Sequence, residues 1–542
     1  MTMIAPEQLE SISIANIEKY HIWPVKQQHL LAVHFLLLEE LCTYIRKISV
    51  ENIDIPILIN FHLSSEIIRL IKSSILAREI KKSGQLVSLD RTFNTANSLS
   101  LNEPPVLEGL PIYLKRGFSL SSFRKVIHLI KDVITSSNDN IGKCLFQSDF
   151  ENNFITFIKT DMVNHYAQEA NTRILFYRHQ YLFADIGGID KNAFCNSETF
   201  KALLGIGNKY IENYCINDHV EISKTYLQNW LSNSWNYISH YMMMLENRIK
   251  VLPKSVGVGT AGNMWYRMLA RFMIKKGVNV FRFDHGAGRS QYNDELQQAN
   301  FDFEDCTKFI TYTKSHAIEY GLIYKSKTTV SETCPELLFL KENKLFAKRA
   351  QVSTFNESHQ QKTNSTPKVL IIVPLFGGAT YHACAKEDLS DLCILHMIGK
   401  ITEFIESKNF SVALKPHPVE GAHRYNSGKH LTSLTTAEII QENFEKIYKR
   451  YDILVLLQPT TTIFSTIMLS GKYLIYIDLG YSEFSLHANN LLKKSCNIVS
   501  AQKDEQGLVS INWDELSNAL ENYRSSHTNA VFGDHYFLNK NN

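Results

Sequence analysis

The chain has 542 residues, 44% of them hydrophobic and 20% charged. That composition is globular, and the length exceeds one ordinary core, so two or three domains are expected. The 57 basic and 54 acidic residues leave a formal net charge of +3, too balanced for a nucleic-acid binder.

The nine cysteines are scattered, with no CxxC pair. They suggest neither a disulfide framework nor a zinc site, and a reducing cytoplasm is the expected compartment. The first twenty residues lack a basic stretch followed by an apolar core, so no signal peptide is expected there. The most apolar window, residues 29–45, is broken by His34, Glu39 and Glu40. It reads as a buried amphipathic helix and not as a membrane span.

Further along, "DIPILINF" (54–61) and "LPIYLK" (110–115) read as strands. "LKRGFSLSSFRKVIHLIK" (114–131) sets Lys115, Arg116, Arg124, Lys125 and Lys131 beside Phe118, Leu120, Phe123, Ile127 and Ile130. A basic amphipathic helix of this kind offers a peripheral membrane contact. A surface helix packed on its own domain is the commoner explanation. Residues 223–249 predict a long helix. Residues 254–289 read strand, glycine-containing turn, helix, strand, glycine-containing turn.

A polar stretch rich in Ser, Thr, Asn and Gln, residues 348–367, reads as a linker. It divides an N-terminal α/β domain with helical additions (1–347) from a C-terminal α/β domain (368–542). In the second, "KVLIIVPLFGG" (368–378) is a near-continuous apolar run of the kind buried on both faces of a parallel sheet. Helix 390–409, strand 410–418, helix 435–451, strand 452–458, helix 460–472 and strand 473–479 follow. Regular alternation predicts a doubly wound sheet.

In such sheets ligands bind beyond the carboxyl ends of the strands. Three strand ends there carry candidate residues. Gly377 and Gly378 would let backbone approach a ligand. "KPHP" (415–418) holds His417 between Pro416 and Pro418, on a stiff backbone beside Lys415. Thr460, Thr461 and Thr462 crowd a predicted helix start, with Ser465 one turn on, and free N–H groups there suit an anion. Taken singly, each has an ordinary structural explanation: an N-cap, a turn glycine, a surface histidine. Together they describe a pocket for a phosphate-bearing ligand.

"KPHP", a strand, and a hydroxyl-rich helix start leading to "GKYLIYID" (471–478) resemble the second domain of bacterial GT-B transferases with an HP motif. These are the sialyl- and polysialyltransferases, the Kdo transferases of capsule assembly and the teichoic-acid glycerophosphotransferases. "VGTAGNMWYRMLARFMIKKGVNVFRFDHGAGRSQYNDE" (258–295) is similar to a first-domain segment of surface-carbohydrate transferases. The resemblance covers about 254–320 and 368–480, and threonines stand where those families usually carry serines.

The resemblance implies two Rossmann-like domains facing a cleft. It also implies an inverting transfer from a nucleotide sugar, foremost a CMP-activated acidic sugar such as a nonulosonic acid or Kdo. The acceptor would be a cell-surface glycan or its lipid-linked precursor. His417 and the Thr460–Thr462/Ser465 group would hold the donor phosphate. No cofactor or metal is expected, and the chain has no Asp-x-Asp motif. His285 ends a predicted strand, between Asp284 and the small Gly286 and Gly288, with Gly259 on the neighbouring loop. A general base must take the proton of the acceptor hydroxyl, and His285, Asp294 and Glu295 are the candidates. In related sialyltransferases an acid in the interval of Glu438 and Glu442 holds the ribose, although both read more simply as a solvated helix face. Two rival functions stand beside this one: a CDP-glycerol-type glycerophosphotransferase, and a non-catalytic nucleotide-binding subunit of a polysaccharide assembly complex.

Overall fold

The computed structural model describes residues 27–48, 54–82, 153–158, 160–176, 197–249, 252–259, 264–284, 290–293, 303–326, 336–341, 366–374, 391–416, 431, 435–459, 463–480, 483–504, 508–524 and 530–538. The first part of the chain contains α1 (Gln27–Ile45), α2 (Asp54–Lys82), β1 (Asn153–Thr156), α3 (Asp161–Glu169), β2 (Arg173–Phe176), α4 (Glu198–Tyr214), α5 (Asn217–Arg248), β3 (Ser255–Val258), α6 (Met264–Lys275), β4 (Asn279–Phe283), β5 (Lys308–Thr311), α7 (Lys314–Ser326) and β6 (Glu336–Phe339). The second contains β7 (Lys368–Ile372), α8 (Asp391–Ser407), β8 (Ser411–Lys415), β9 (Glu438–Ile439), α9 (Phe444–Ile447), β10 (Ile453–Leu456), α10 (Phe464–Met468), β11 (Tyr473–Asp478), α11 (Leu486–Ser495), β12 (Asn497–Lys503), β13 (Val509–Ile511), α12 (Trp513–Glu521) and α13 (Val531–Phe537).

The fold is α/β, with two sheets. The first has strand order β2-β1-β3-β4-β5-β6, and every pair is parallel. The second has order β13-β12-β11-β10-β7-β8-β9, parallel except for the β12–β13 edge. Successive strand residues point to opposite faces, and the cores record that alternation. Ile155, Val280 and Phe309 join one hydrophobic cluster with α1, α2, α4, α5 and α6, while their neighbours Phe154, Phe281 and Ile310 join another. That second cluster also takes Leu370, Ile372, Leu454 and Leu456 from the second sheet, so the two sheets share it. Val369, Ile371, Ile453 and Val455 face a third cluster on the far side.

Helix α13 carries the shared core across. The Phe464 ring meets Phe532 at 5.6 Å, and the Phe537 ring meets His316 of α7 at 5.8 Å. The Thr313 hydroxyl donates to the Tyr536 carbonyl at 3.2 Å.

Three sequence expectations are corrected. Residues 54–61 are the first turns of α2 and not a strand. Their β-branched run is buried on all sides, with Ile57, Leu58 and Ile59 fully enclosed. Asp54 and Pro56 in the first turn are ordinary helix-start residues. Residues 435–451 are not one helix: they form β9, α9 and a 3-10 turn at Tyr448–Arg450. The helix expected over 460–472 spans only Phe464–Met468 among the described residues. The expected strand 110–115, the basic segment 114–131 and most of the 348–367 linker lie outside the described residues. No described helix is long and apolar enough to cross a membrane.

Candidate functional site

The second sheet reverses its winding direction between β7 and β10. From β7 the chain proceeds outward to β8 and β9, then returns to β10 on β7's other side. Such a reversal of strand order is the place where ligands of open parallel sheets bind. The register is explicit. Lys415, Ile372, Leu456 and Tyr476 pair in one row across β8, β7, β10 and β11. Lys415 stands in that row, and Gly377, Gly378, His417, Pro418, Thr460, Thr461, Thr462 and Ser465 follow its strands in the chain.

Lys415 ends β8 and is buried. Its ammonium donates to the Pro416 carbonyl at 2.8 Å. Val373, just past β7, donates its N–H to the Lys415 carbonyl at 3.1 Å. Beyond β10 the described chain runs to Pro459 and resumes at Ile463. Ser465 lies in α10, buried, its hydroxyl making no hydrogen bond among the described residues. Gly377, Gly378, His417, Pro418, Thr460, Thr461 and Thr462 lie outside the described residues, and so do His285, Gly286, Gly288, Asp294 and Glu295.

The segments flanking the first-domain motif are described, and they reach the second sheet. Tyr292 forms an antiparallel bridge with Phe484. Ser485 N–H donates to the Gln291 carbonyl, and Asn293 N–H to the Glu483 carbonyl, both at 2.8 Å. The Tyr292 hydroxyl donates to the Pro459 carbonyl at 3.2 Å. The residues that follow the HGAG motif thus touch the residue that precedes Thr460.

On the other flank, Asp284 is buried at the end of β4. The Tyr320 hydroxyl is 3.4 Å from both of its carboxylate oxygens, and His316 Nδ1 is 3.9 Å from one, too far for a hydrogen bond. Complete burial, with His535's charge adding to it, pushes His316 down to about 3, so the imidazole is neutral at ordinary pH. Tyr320 and His316 are absent from the sequence reading. Their i, i+4 spacing one helix beyond Asp284 was the available signal, but it needs the β4–β5 pairing to bring them to Asp284.

Gly259 follows β3, at the winding reversal between β1 and β3 of the first sheet. Packing accounts for it. A Cβ there would stand 2.5 Å from Tyr266 Cε2 and 2.9 Å from Ile158 Cγ2. The Tyr266 ring is tethered by its hydroxyl to the Phe157 carbonyl at 3.2 Å. Gly259→Ala is therefore expected to destabilise the fold by about 1–3 kcal/mol through overpacking, read as a lower denaturation midpoint. An unchanged midpoint would mean that the ring yields freely.

Glu438 and Glu442 do not share a helix. Glu438 lies on the edge strand β9, and Glu442 is exposed and bonded by Arg450 at 2.8 and 3.1 Å. A carboxylate so paired is a surface ion-pair partner. No family model matches the chain, and no curated protein matches it.

Proposed function

We propose that the chain is a GT-B-type, metal-independent, inverting glycosyltransferase that uses a nucleotide-activated sugar, foremost a CMP-activated acidic sugar. The acceptor in this reading is a cell-surface glycan or its lipid-linked precursor. The observation that carries it is the single row of β8, β7 and β10 ends at the winding reversal of the second sheet. Gly377 and Gly378, His417, and Thr460–Thr462 each follow a strand of that row by two to six residues in the chain, which supports one shared pocket.

In the reaction the acceptor hydroxyl oxygen bonds to the anomeric carbon as the carbon–oxygen bond to the donor phosphate breaks. The nucleotide departs with the electron pair, and the acceptor proton passes to a base. His417 in its protonated form, with the amides around Thr460–Thr462, answers the charge growing on the phosphate. His285, Asp294 and Glu295 supply the candidates for the base on the first-sheet side. The Tyr292–Pro459 bond supplies the support for working across two sheets, since it joins the flank of the first-domain motif to the residue before Thr460, and the Gln291–Ser485 bond holds the same flank to the second sheet's domain.

A thermal-shift series against CMP, CDP, UMP, UDP, GDP and dTDP tests the donor. A ligand that binds only the folded chain raises the melting temperature by mass action, about 2.7 kcal/mol at a hundred times Kd. CMP is expected to give the largest shift. CDP as the best ligand, with phosphorus retained in the product, would select glycerophosphotransfer. Binding without turnover would select the assembly subunit, and no shift with any nucleotide would remove the donor site.

A further inference from the structure

We propose that Glu319, His487 and His535 bind a single zinc-type cation that fastens α7 to α11 and α13. The three side chains come from three helices, and their ligand atoms all lie within 4.8 Å of one another. Glu319 belongs to the helix between β5 and β6 of the first sheet. His487 opens the helix after the Phe484 bridge, and His535 lies on the C-terminal helix that straps the two sheets. No stretch of sequence shorter than 150 residues unites them, and no CxxC or HxxxH spacing announces the set.

The geometry favours an ion over a bare ion pair. His535 Nε2 stands 3.5 Å from Glu319 Oε1, with the side chains 24% and 20% exposed. That nitrogen is buried and makes no hydrogen bond among the described residues. The His487 and His535 rings are 4.9 Å apart at 66°, a contact that a Glu319–His535 pair alone gives no reason for. Tetrahedral zinc with bonds of about 2.0–2.1 Å sets its ligand atoms roughly 3.3–3.5 Å apart. A small inward adjustment of His487 completes that set.

The donor chemistry selects the metal class. Two imidazoles and one carboxylate suit zinc and its neighbours, whereas magnesium and calcium prefer all-oxygen shells. The exposed His487 leaves a route for the ion and a fourth position for water. None of the three is among the residues assigned to the transfer reaction, although Tyr320 beside Glu319 reaches Asp284 and Ser485 near His487 bonds Gln291. The site's effect is mechanical: an ion bound only by the folded chain stabilises the junction in proportion to its occupancy.

Calorimetric titration of the metal-stripped full chain with Zn2+ at neutral pH, paired with melting curves, tests this. Expected are one ion per chain, a raised melting temperature, and no comparable heat with Mg2+. His487→Ala, at an exposed position that folding does not depend on, is expected to weaken binding by at least roughly a hundredfold, more than loss of an outer-shell partner usually does, and to abolish the melting shift. Glu319→Gln, which keeps the shape, is expected to do the same. The chain has 20 histidines, so zinc bound equally by both variants would belong to other residues and overturn the assignment. So would a parent chain that binds no zinc, or one that binds Mg2+ as well.

Discussion

Replacing His417 by alanine is expected to cut sugar transfer by about 10²–10⁴-fold, the usual worth of a positioned proton donor. It should leave the melting temperature of the nucleotide-free chain unchanged. The reasoning starts at β8. The strand is buried from Val412 to Lys415 and paired with β7 through Ile372. By sequence, Pro416 fixes its own φ, and a proline at 418 biases the residue before it toward extended geometry. A ring on such a backbone loses little freedom when it meets a phosphate, so binding strengthens as charge grows there. His417→Asn separates two roles. Asparagine can donate a hydrogen bond but cannot give up a proton. If His417 only binds, kcat recovers in the asparagine variant and KM carries the defect. If it donates a proton, kcat stays low in both. Full activity in the alanine variant would remove His417 from the site and the donor model with it.

Much of this frame is legible in the residues. β7, β8, β10 and β11 are short, unbroken apolar runs because parallel strands are buried on both faces; their starts lie within a residue of the expected ones, while β7 and β8 end several residues before the runs 368–378 and 410–418 do. β1, β2, β5 and β6 are four residues each and give alternation little length to register; β3 and β10 are as short, but a glycine-containing turn after the one and the longer apolar run 452–458 around the other mark them. β9 is two residues long and exists by pairing with β8 at Ala413 and Leu414, a tertiary cause no local pattern contains. The apolar run of α2 fits strand or helix equally, and burial on every side removes the periodicity that would decide.

The candidate site divides the same way. "KPHP" and the threonine cluster are local and visible. That β7 lies between β8 and β10 is topology, and only the strand order brings the three ends into one row. Asp284 was noticed as an acid beside His285, but Tyr320 and His316 reach it through the β4–β5 pairing. Sequence reading finds residue types at strand ends. It does not say which strand ends are neighbours.

The largest stability effect is expected at Asp305, which precedes β5 and is fully buried. Arg267 Nε of α6 donates to its carboxylate at 2.8 Å, and an Arg282 guanidinium nitrogen of β4 lies 3.8 Å away. Arg282 Nε donates to the Asp305 carbonyl at 3.2 Å, and Arg267 reaches the Ile57 carbonyl of α2 at 2.8 Å. One carboxylate therefore holds the helical layer, α6, β4 and the approach to β5 together. Asp305→Asn keeps the shape and removes the charge, leaving the Arg267 guanidinium enclosed without the carboxylate it bonds. Breaking a buried pair from one side costs about 3–5 kcal/mol, a large share of the 5–15 kcal/mol typical of a folded domain. Urea unfolding should show a lower midpoint in the transition of the first sheet, with its slope unchanged. Glu442→Gln, which breaks the exposed pair with Arg450, is the matched control and should leave the midpoint where it was, because solvent screens both charges. Equal effects of the two substitutions would mean that water reaches Asp305 and that the network is not the dry junction its burial describes. Replacing Asp305 and Arg267 together by apolar residues of similar volume should restore much of the loss, since the penalty lies in the stranded charge and not in the absence of the pair.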